Sequence, residues 1–215
     1  MLVGERMSHP VISISPDMPV VDALNLMKRE KIRRTPVIKD DRLVGIVSDK
    51  DLLNASPSPA TSLSVWEINY LLSKITVHEV MTKNVLTVTE DTPIEEAARI
   101  MVDNKIGGLP VMQEEMLVGI ITETDLFKVF LELMGARKPG VRVTAYIPEQ
   151  RGVLASLTKA IASAGGNFIA FGQFRGDDPS NWMLTFKVEG LDEQTVKDLI
   201  EPIVLRISDI RITPR

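Results

Sequence analysis

Residues 11–52 realign on residues 85–126 at a constant offset of 74 with no gap, and fifteen of the 42 aligned pairs are identical. Pro19 falls on Pro93, Ala23 on Ala97, Met27 on Met101, Lys31-Ile32 on Lys105-Ile106 and Pro36-Val37 on Pro110-Val111. Leu43-Val44-Gly45-Ile46 returns as Leu117-Val118-Gly119-Ile120, and Asp51-Leu52 as Asp125-Leu126. A unit this short cannot bury its apolar face alone, so two copies in register require one pseudo-symmetric module whose halves cover each other. Binding sites are then expected in clefts between the halves.

Each copy predicts the order β-α-β-β-α. In copy one, Val11, Ile12 and Ile14 predict a short strand. Pro19 opens a helix with Val20, Ala23, Leu24 and Met27 on one face. Pro36-Val37-Ile38 and Leu43 to Val47 predict a hairpin turning at Asp40-Asp41, and Ser48 caps a helix from Asp49. Copy two repeats this plan: a strand Val85–Val88, a helix from Pro93 to Asp103, a hairpin turning at Glu114-Glu115, the cap Thr122, and a helix stopping at Gly135. Between the copies, Ser56-Pro57-Ser58-Pro59 breaks structure. Ser64, Val65, Trp66, Ile68, Leu71 and Leu72 then predict an amphipathic helix, read as a lid, a dimer contact or simple edge packing. The expected divisions are 1–60, a connecting helix 61–76, 77–135, a linker 136–140, and 141–215.

Composition narrows the chemistry. With no Cys among 215 residues, disulfide scaffolds, thiolate metal sites and thiol nucleophiles are excluded, and a reducing, cytoplasmic setting is expected. No apolar run approaches the roughly 18 residues of a membrane span, so no membrane partner is expected. A net charge of -4 gives no global attraction to nucleic acid. His9 and His78 lack further ligand-type residues at metal spacing, and phosphate loops and nucleophile elbows are absent, so neither a metal site, a catalytic residue nor a catalytic cofactor is expected. The methionines, such as Met81 and Met101, follow apolar periodicity and read as core filling.

Gly45-Ile46-Val47-Ser48-Asp49-Lys50-Asp51 and Gly119-Ile120-Ile121-Thr122-Glu123-Thr124-Asp125 share one pattern: Gly, two apolar residues, Ser or Thr, two variable positions, Asp. A carboxylate three residues after a capping hydroxyl lies on the same side of the first helical turn, where it can accept hydrogen bonds from two sugar hydroxyls. Asp51 and Asp125 are therefore ribose candidates. Ser48 and Thr122, beside unpaired N–H groups at a helix start, are placed to donate to a phosphate. Helix capping alone would use the same residues; their recurrence in both copies favours a ligand. Copy one carries Arg33 and Arg34 where copy two has Gly107 and Gly108, so unequal sites are expected. An arginine offers a bidentate phosphate contact or merely a solvated face, and the glycine pair permits close approach of a ligand.

The two motifs resemble the ribose-phosphate motif of CBS domains. Met7-Ser8 and Val80-Met81-Thr82 resemble the lead-in of that family, and Thr35-Pro36-Val37 and Leu109-Pro110-Val111 its second strand. The resemblance spans about residues 3–134 and implies a paired CBS (Bateman) module. Such a module binds adenosine-containing ligands such as AMP, ADP, ATP or S-adenosylmethionine between its halves.

After Arg137-Lys138-Pro139-Gly140 the repeat stops. Strands over Val141–Ile147, Phe168–Phe174, Trp182–Val188 and Val204–Ile212, with helices from Val153 and over Asp192–Ile200, predict the ferredoxin-like order β-α-β-β-α-β. Arg151-Gly152-Val153-Leu154 and Ala164-Gly165-Gly166-Asn167 resemble the first turn and the end of the first helix of an ACT domain. That resemblance implies dimerisation and amino-acid binding near Gly152 and Asn167; a turn-forming Gly152 in a domain that only dimerises is the alternative. The overall fold class is α+β. The CBS-plus-ACT order resembles AcuB-type acetoin-utilisation proteins, which implies a non-enzymatic regulator of acetoin or acetate metabolism, homodimeric, acting on a partner enzyme. The competing reading is a structural adaptor with vestigial clefts.

Overall fold

The computed structural model describes residues 1–55 and 74–214. The expected connecting helix falls almost wholly on residues 56–73, outside the described residues. Compactness divides the chain into Met1–Leu126 and Phe127–Arg215.

Copy one builds α1 (Val20–Glu30), β1 (Arg34–Lys39), β2 (Arg42–Ser48) and α2 (Asp49–Asn54). After the short helix α3 (Val77–Val80), copy two builds α4 (Ile94–Asn104), β3 (Gly108–Gln113), β4 (Met116–Thr122) and α5 (Glu123–Leu133). Pro19 and Pro93 stand at the N-caps of α1 and α4. Each of these helices buries a matching trio: Val20, Ala23 and Met27, or Ile94, Ala97 and Met101. Both end on a left-handed lysine, Lys31 (φ 57°) or Lys105 (φ 54°), which lets the next N–H return to the Met27 or Met101 carbonyl at 2.9 Å. The β1–β2 turn has positive φ at Asp40 and Asp41, the twist a tight hairpin needs.

The expected opening strands are reduced to single bridges, Ile14 with Val37 and Val88 with Val111, both parallel. The cause lies in the partner strand. Ile14 N–H donates to the Pro36 carbonyl and Ile38 N–H to the Ile14 carbonyl; the next rung would need an N–H from Pro36, which has none. Pro110 stops the copy-two ladder in the same way.

The pseudo-two-fold is visible in exchanged pairings. Ser8, ahead of copy one, bridges Ile120 in β4; Thr82, ahead of copy two, bridges Ile46 in β2. Leu2 with Pro93 and Pro19 with Thr76 are a second such pair. A Cβ on Gly45 would lie 2.5 Å from the Met81 sulfur, and one on Gly119 would meet the Met7 side chain in the same way. The glycine opening each motif is therefore the socket for the opposite copy's lead-in methionine.

The second unit has β5 (Gly140–Pro148), α6 (Val153–Ser163), β6 (Asn167–Arg175), β7 (Asn181–Glu189), α7 (Glu193–Ile200) and β8 (Arg206–Thr213). Its antiparallel sheet has the order β6-β7-β5-β8, the ferredoxin-like arrangement. Val143, Ala145, Leu184 and Phe186 pack under Leu157 and Ile161 of α6 and Val196 and Ile200 of α7. On the other face, Lys187 is only 3% exposed, and its ammonium donates to the carbonyls of Gly135 (2.9 Å) and Lys138 (2.8 Å). Burial, then the like charge of Arg142, lowers its pKa. This clamp ties the segment ahead of β5 to the sheet.

Candidate functional site

Ser48 ends β2 in extended conformation and caps α2. Its backbone N–H and hydroxyl donate to Oδ2 of Asp51 at 2.8 and 2.7 Å, while Asp51 N–H donates back to the hydroxyl at 3.3 Å. This is a capping box with a short acid in place of the usual Glu. It fixes the carboxylate over the first turn. Thr122 repeats the arrangement, its N–H and hydroxyl donating to Asp125 Oδ2 at 3.1 and 2.7 Å. The copies then part: Asp51 is half-buried, whereas Asp125 is 5% exposed.

Ser48 and Asp51 open onto a cleft of about 670 Å3 within the first unit. Copy one contributes Arg34, Ile46, Val47, Lys50 and Asn54. Thr82 and Asn84 come from the lead-in of copy two, and copy two itself supplies Val85, Leu86, Asn104 to Gly108 at the end of α4, and Glu123. The composition suits a nucleoside: apolar Ile46, Val85, Leu86 and Ile106 for a base, a carboxylate with a hydroxyl for a sugar, and cationic Arg34, Lys50 and Lys105 for phosphate.

Arg34 crosses between the copies. Its Nη1 donates to the Gly107 carbonyl, which also accepts Glu123 N–H at 3.1 Å. A Cβ on Gly107 would stand 2.5 Å from Arg34 Nη2 and 2.6 Å from Glu123 Oε2; one on Gly108 would stand 2.8 Å from Arg34 Cδ. The close approach expected of a ligand at Gly107-Gly108 is made here by the Arg34 side chain. Burial lowers the Arg34 pKa, Glu123 and then Asp49 oppose this, Arg33 adds to it, and Asp51 opposes it. Asp49 and Glu123 are equivalent positions of the repeat, so one guanidinium lies in the field of two symmetry-related acids.

Of the sequence-stated residues, Ser48, Asp51, Arg34, Gly107 and Gly108 share the cleft, and Arg33, Thr122 and Asp125 are outside its lining. Arg33 is exposed, with its carbonyl accepting Asp49 N–H at 2.9 Å. Sequence reasoning missed Glu123, Leu86, Asn84 and Lys50. The offset was signal enough for Glu123, which mates with Asp49 beside the arginines. Leu86 and Asn84 come close through the exchanged pairing, which no single copy displays.

In the second unit Gly152 is the left-handed residue before α6 (φ 88°), with open space where a Cβ would go. The Asn167 amide donates to Glu189 Oε1 at 2.8 Å. The 11 residues of α6, about 16 Å, separate the two positions, so one chain does not gather them into one site. A hollow of about 310 Å3 near the same turn is lined by Glu149, Arg175 and Trp182 among others, and by neither Gly152 nor Asn167. Among the described residues no group of three His, Cys, Asp or Glu could hold a metal ion, and no helix is long and apolar enough to cross a membrane.

Comparison with known proteins agrees with the first unit. MJ1225 of Methanocaldococcus jannaschii is 31% identical over 137 residues; the match takes in 60% of this chain and 47% of that protein, so the chain spans about half of that relative's length. An AMP complex of CBSX2, a chloroplastic CBS protein of Arabidopsis thaliana, superposes with TM-score 0.52 at 34% identity, covering 61% of this chain and 97% of the other. The CBS pair of MJ0100, bound to 5'-methylthioadenosine and S-adenosylmethionine, gives TM-score 0.52 at 28% identity over 64% and 98%. A Vibrio cholerae protein named as an acetoin utilization protein (AcuB) gives 0.53 at 30% over 64% and 95%. With the CBS domain family model matching residues 3–58 and again 77–132, on the two halves that the exchanged bridges join, the chain belongs to the CBS domain family as a tandem pair.

Proposed function

We propose that the chain is a non-enzymatic regulatory protein whose CBS pair binds an adenosine-containing ligand: AMP, ADP, ATP or S-adenosylmethionine. The observation that carries this reading is the cleft in which the Ser48–Asp51 capping box faces Leu86 and Gly107-Gly108 of the other copy. The AMP held by CBSX2 and the S-adenosylmethionine held by MJ0100 support the same ligand class. Residues 140–213 serve as an ACT domain that dimerises the chain and senses an amino acid; the sheet order β6-β7-β5-β8 and the left-handed Gly152 support this. Because α6 separates Gly152 from Asn167, such a site is completed only between two chains. The likeness to AcuB supports a cytoplasmic role in acetoin or acetate metabolism, exerted on a partner enzyme.

One observation favours the adaptor reading: Phe127, Phe130 and Leu131, spaced as one face of α5, are 67%, 53% and 38% exposed. Thermal unfolding with AMP, ADP, ATP, S-adenosylmethionine and GTP separates the two. A ligand at 100 times its Kd adds about 2.7 kcal/mol, and at roughly 2 to 4 °C per kcal/mol the shift is easily read. The sensor predicts a shift that Asp51→Ala removes. No shift with any nucleotide at millimolar concentration leaves the adaptor.

A further inference from the structure

The two copies differ at three places where an adenosine ligand would touch them. The first is a carbonyl. Pro36 cannot donate to the Ile12 carbonyl, and the buried Thr35 hydroxyl donates to it instead. In copy two the same gap opens between Pro110 and the Leu86 carbonyl, but Leu109 stands in Thr35's place and brings no hydroxyl. No donor among the described residues meets the Leu86 carbonyl. Leu86 is 45% exposed and lines the Asp51 cleft, so this wall offers an open acceptor of the kind an adenine amino group requires.

The second difference is the carboxylate: Asp51 lines the cleft, whereas Asp125 lies outside that lining and is 5% exposed. The third is charge. Arg34 leans over Gly107-Gly108 and is already held by the Gly107 carbonyl, so little freedom is lost when a phosphate takes its remaining N–H groups. No described residue pairs with the Lys50 or Lys105 ammonium in the same lining. We infer that each chain holds one phosphorylated adenosine, in the Asp51 cleft, and that Thr35 and the burial of Asp125 close the pseudo-equivalent position to a second. This rests on the adenosine-binding reading above.

Isothermal titration calorimetry of the full chain with AMP, adenosine and S-adenosylmethionine tests it. The expected result is one AMP per chain, with adenosine and S-adenosylmethionine each weaker by about tenfold or more, the factor that 1.4 kcal/mol represents. Two AMP per chain, or equal affinity for AMP and adenosine, overturns the inference while leaving adenosine binding intact. S-adenosylmethionine bound in preference to AMP overturns the inference alone, and no binding of any of the three overturns the adenosine reading itself. Leu109→Thr, which copies residue 35 into copy two, should put a hydroxyl on the Leu86 carbonyl and weaken AMP and adenosine alike. Arg34→Gln should weaken AMP more than adenosine, narrowing the preference for AMP over adenosine. Unaltered affinities in both variants refute the proposed contacts; should either variant fail to fold, the wild-type stoichiometry and ligand ranking still decide.

Discussion

Gly45→Ala is the sharpest probe of how the two copies interlock. The added methyl would lie 2.5 Å from Met81 Sδ, 3.0 Å from Met81 Cγ and 3.1 Å from the Thr82 carbonyl. The Met81 side chain is flexible and can move. The Thr82 carbonyl cannot, because it accepts Ile46 N–H at 2.9 Å and Thr82 N–H returns to the Ile46 carbonyl at 2.9 Å. Overpacking of this kind costs about 1 to 3 kcal/mol, and the narrower unfolded ensemble of Ala gives back about 0.4 to 1 kcal/mol. A net loss of roughly 1 to 2 kcal/mol is expected, a fall in Tm of several degrees for a chain of this size. Scanning calorimetry of wild type, Gly45→Ala, Met81→Ala and the double variant closes a cycle in which Met81→Ala relieves part of the cost. At Gly119 the three nearest atoms all belong to Met7, so Met7→Ala should relieve nearly all of the Gly119→Ala cost. Additive effects at both glycines would show that the methionine sockets do not join the halves.

Other substitutions separate folding from binding. Asp51→Ala should cost about 1 kcal/mol through the lost cap, and equilibrium dialysis should find no adenosine ligand retained. Asp125→Ala, at a buried carboxylate, should cost more stability, about 1 to 3 kcal/mol by chemical denaturation, and leave AMP affinity near wild type. Thr35→Val should cost about 1 to 3 kcal/mol by leaving the Ile12 carbonyl unmet. Lys187→Met should loosen the hold on Gly135 and Lys138, read as faster hydrogen exchange there. Lys187 has a lowered folded pKa, so the unfolded chain binds the proton more tightly and wild-type stability gains from this group as pH rises from the folded pKa toward the usual lysine value of about 10.5. Lys187→Met should remove that alkaline gain in pH-dependent melts.

What the sequence made legible was whatever is repeated or locally encoded. The offset of 74 carried the pseudo-symmetry, and residues three apart carried the Ser48–Asp51 and Thr122–Asp125 boxes, because a capping box closes within one helical turn. The turn acids and the ferredoxin-like order could be placed for the same reason. The opening strands are shorter than their pattern predicts because apolar alternation at Val11–Ile14 and Val85–Val88 says nothing about the partner's missing N–H at Pro36 and Pro110. The cleft was half legible. Symmetry names which positions are equivalent, 34 with 108 and 49 with 123, but not which side chain occupies the space between the copies. Identical residues make a repeat recognisable, and it is the mismatched pairs, Thr35 with Leu109 and Arg34 with Gly108, that can make its two clefts unequal. A motif search weighs both copies alike. The asymmetry emerges only when each mismatch is followed to the atom it satisfies: the Ile12 carbonyl under Thr35, and the Gly107 carbonyl under Arg34.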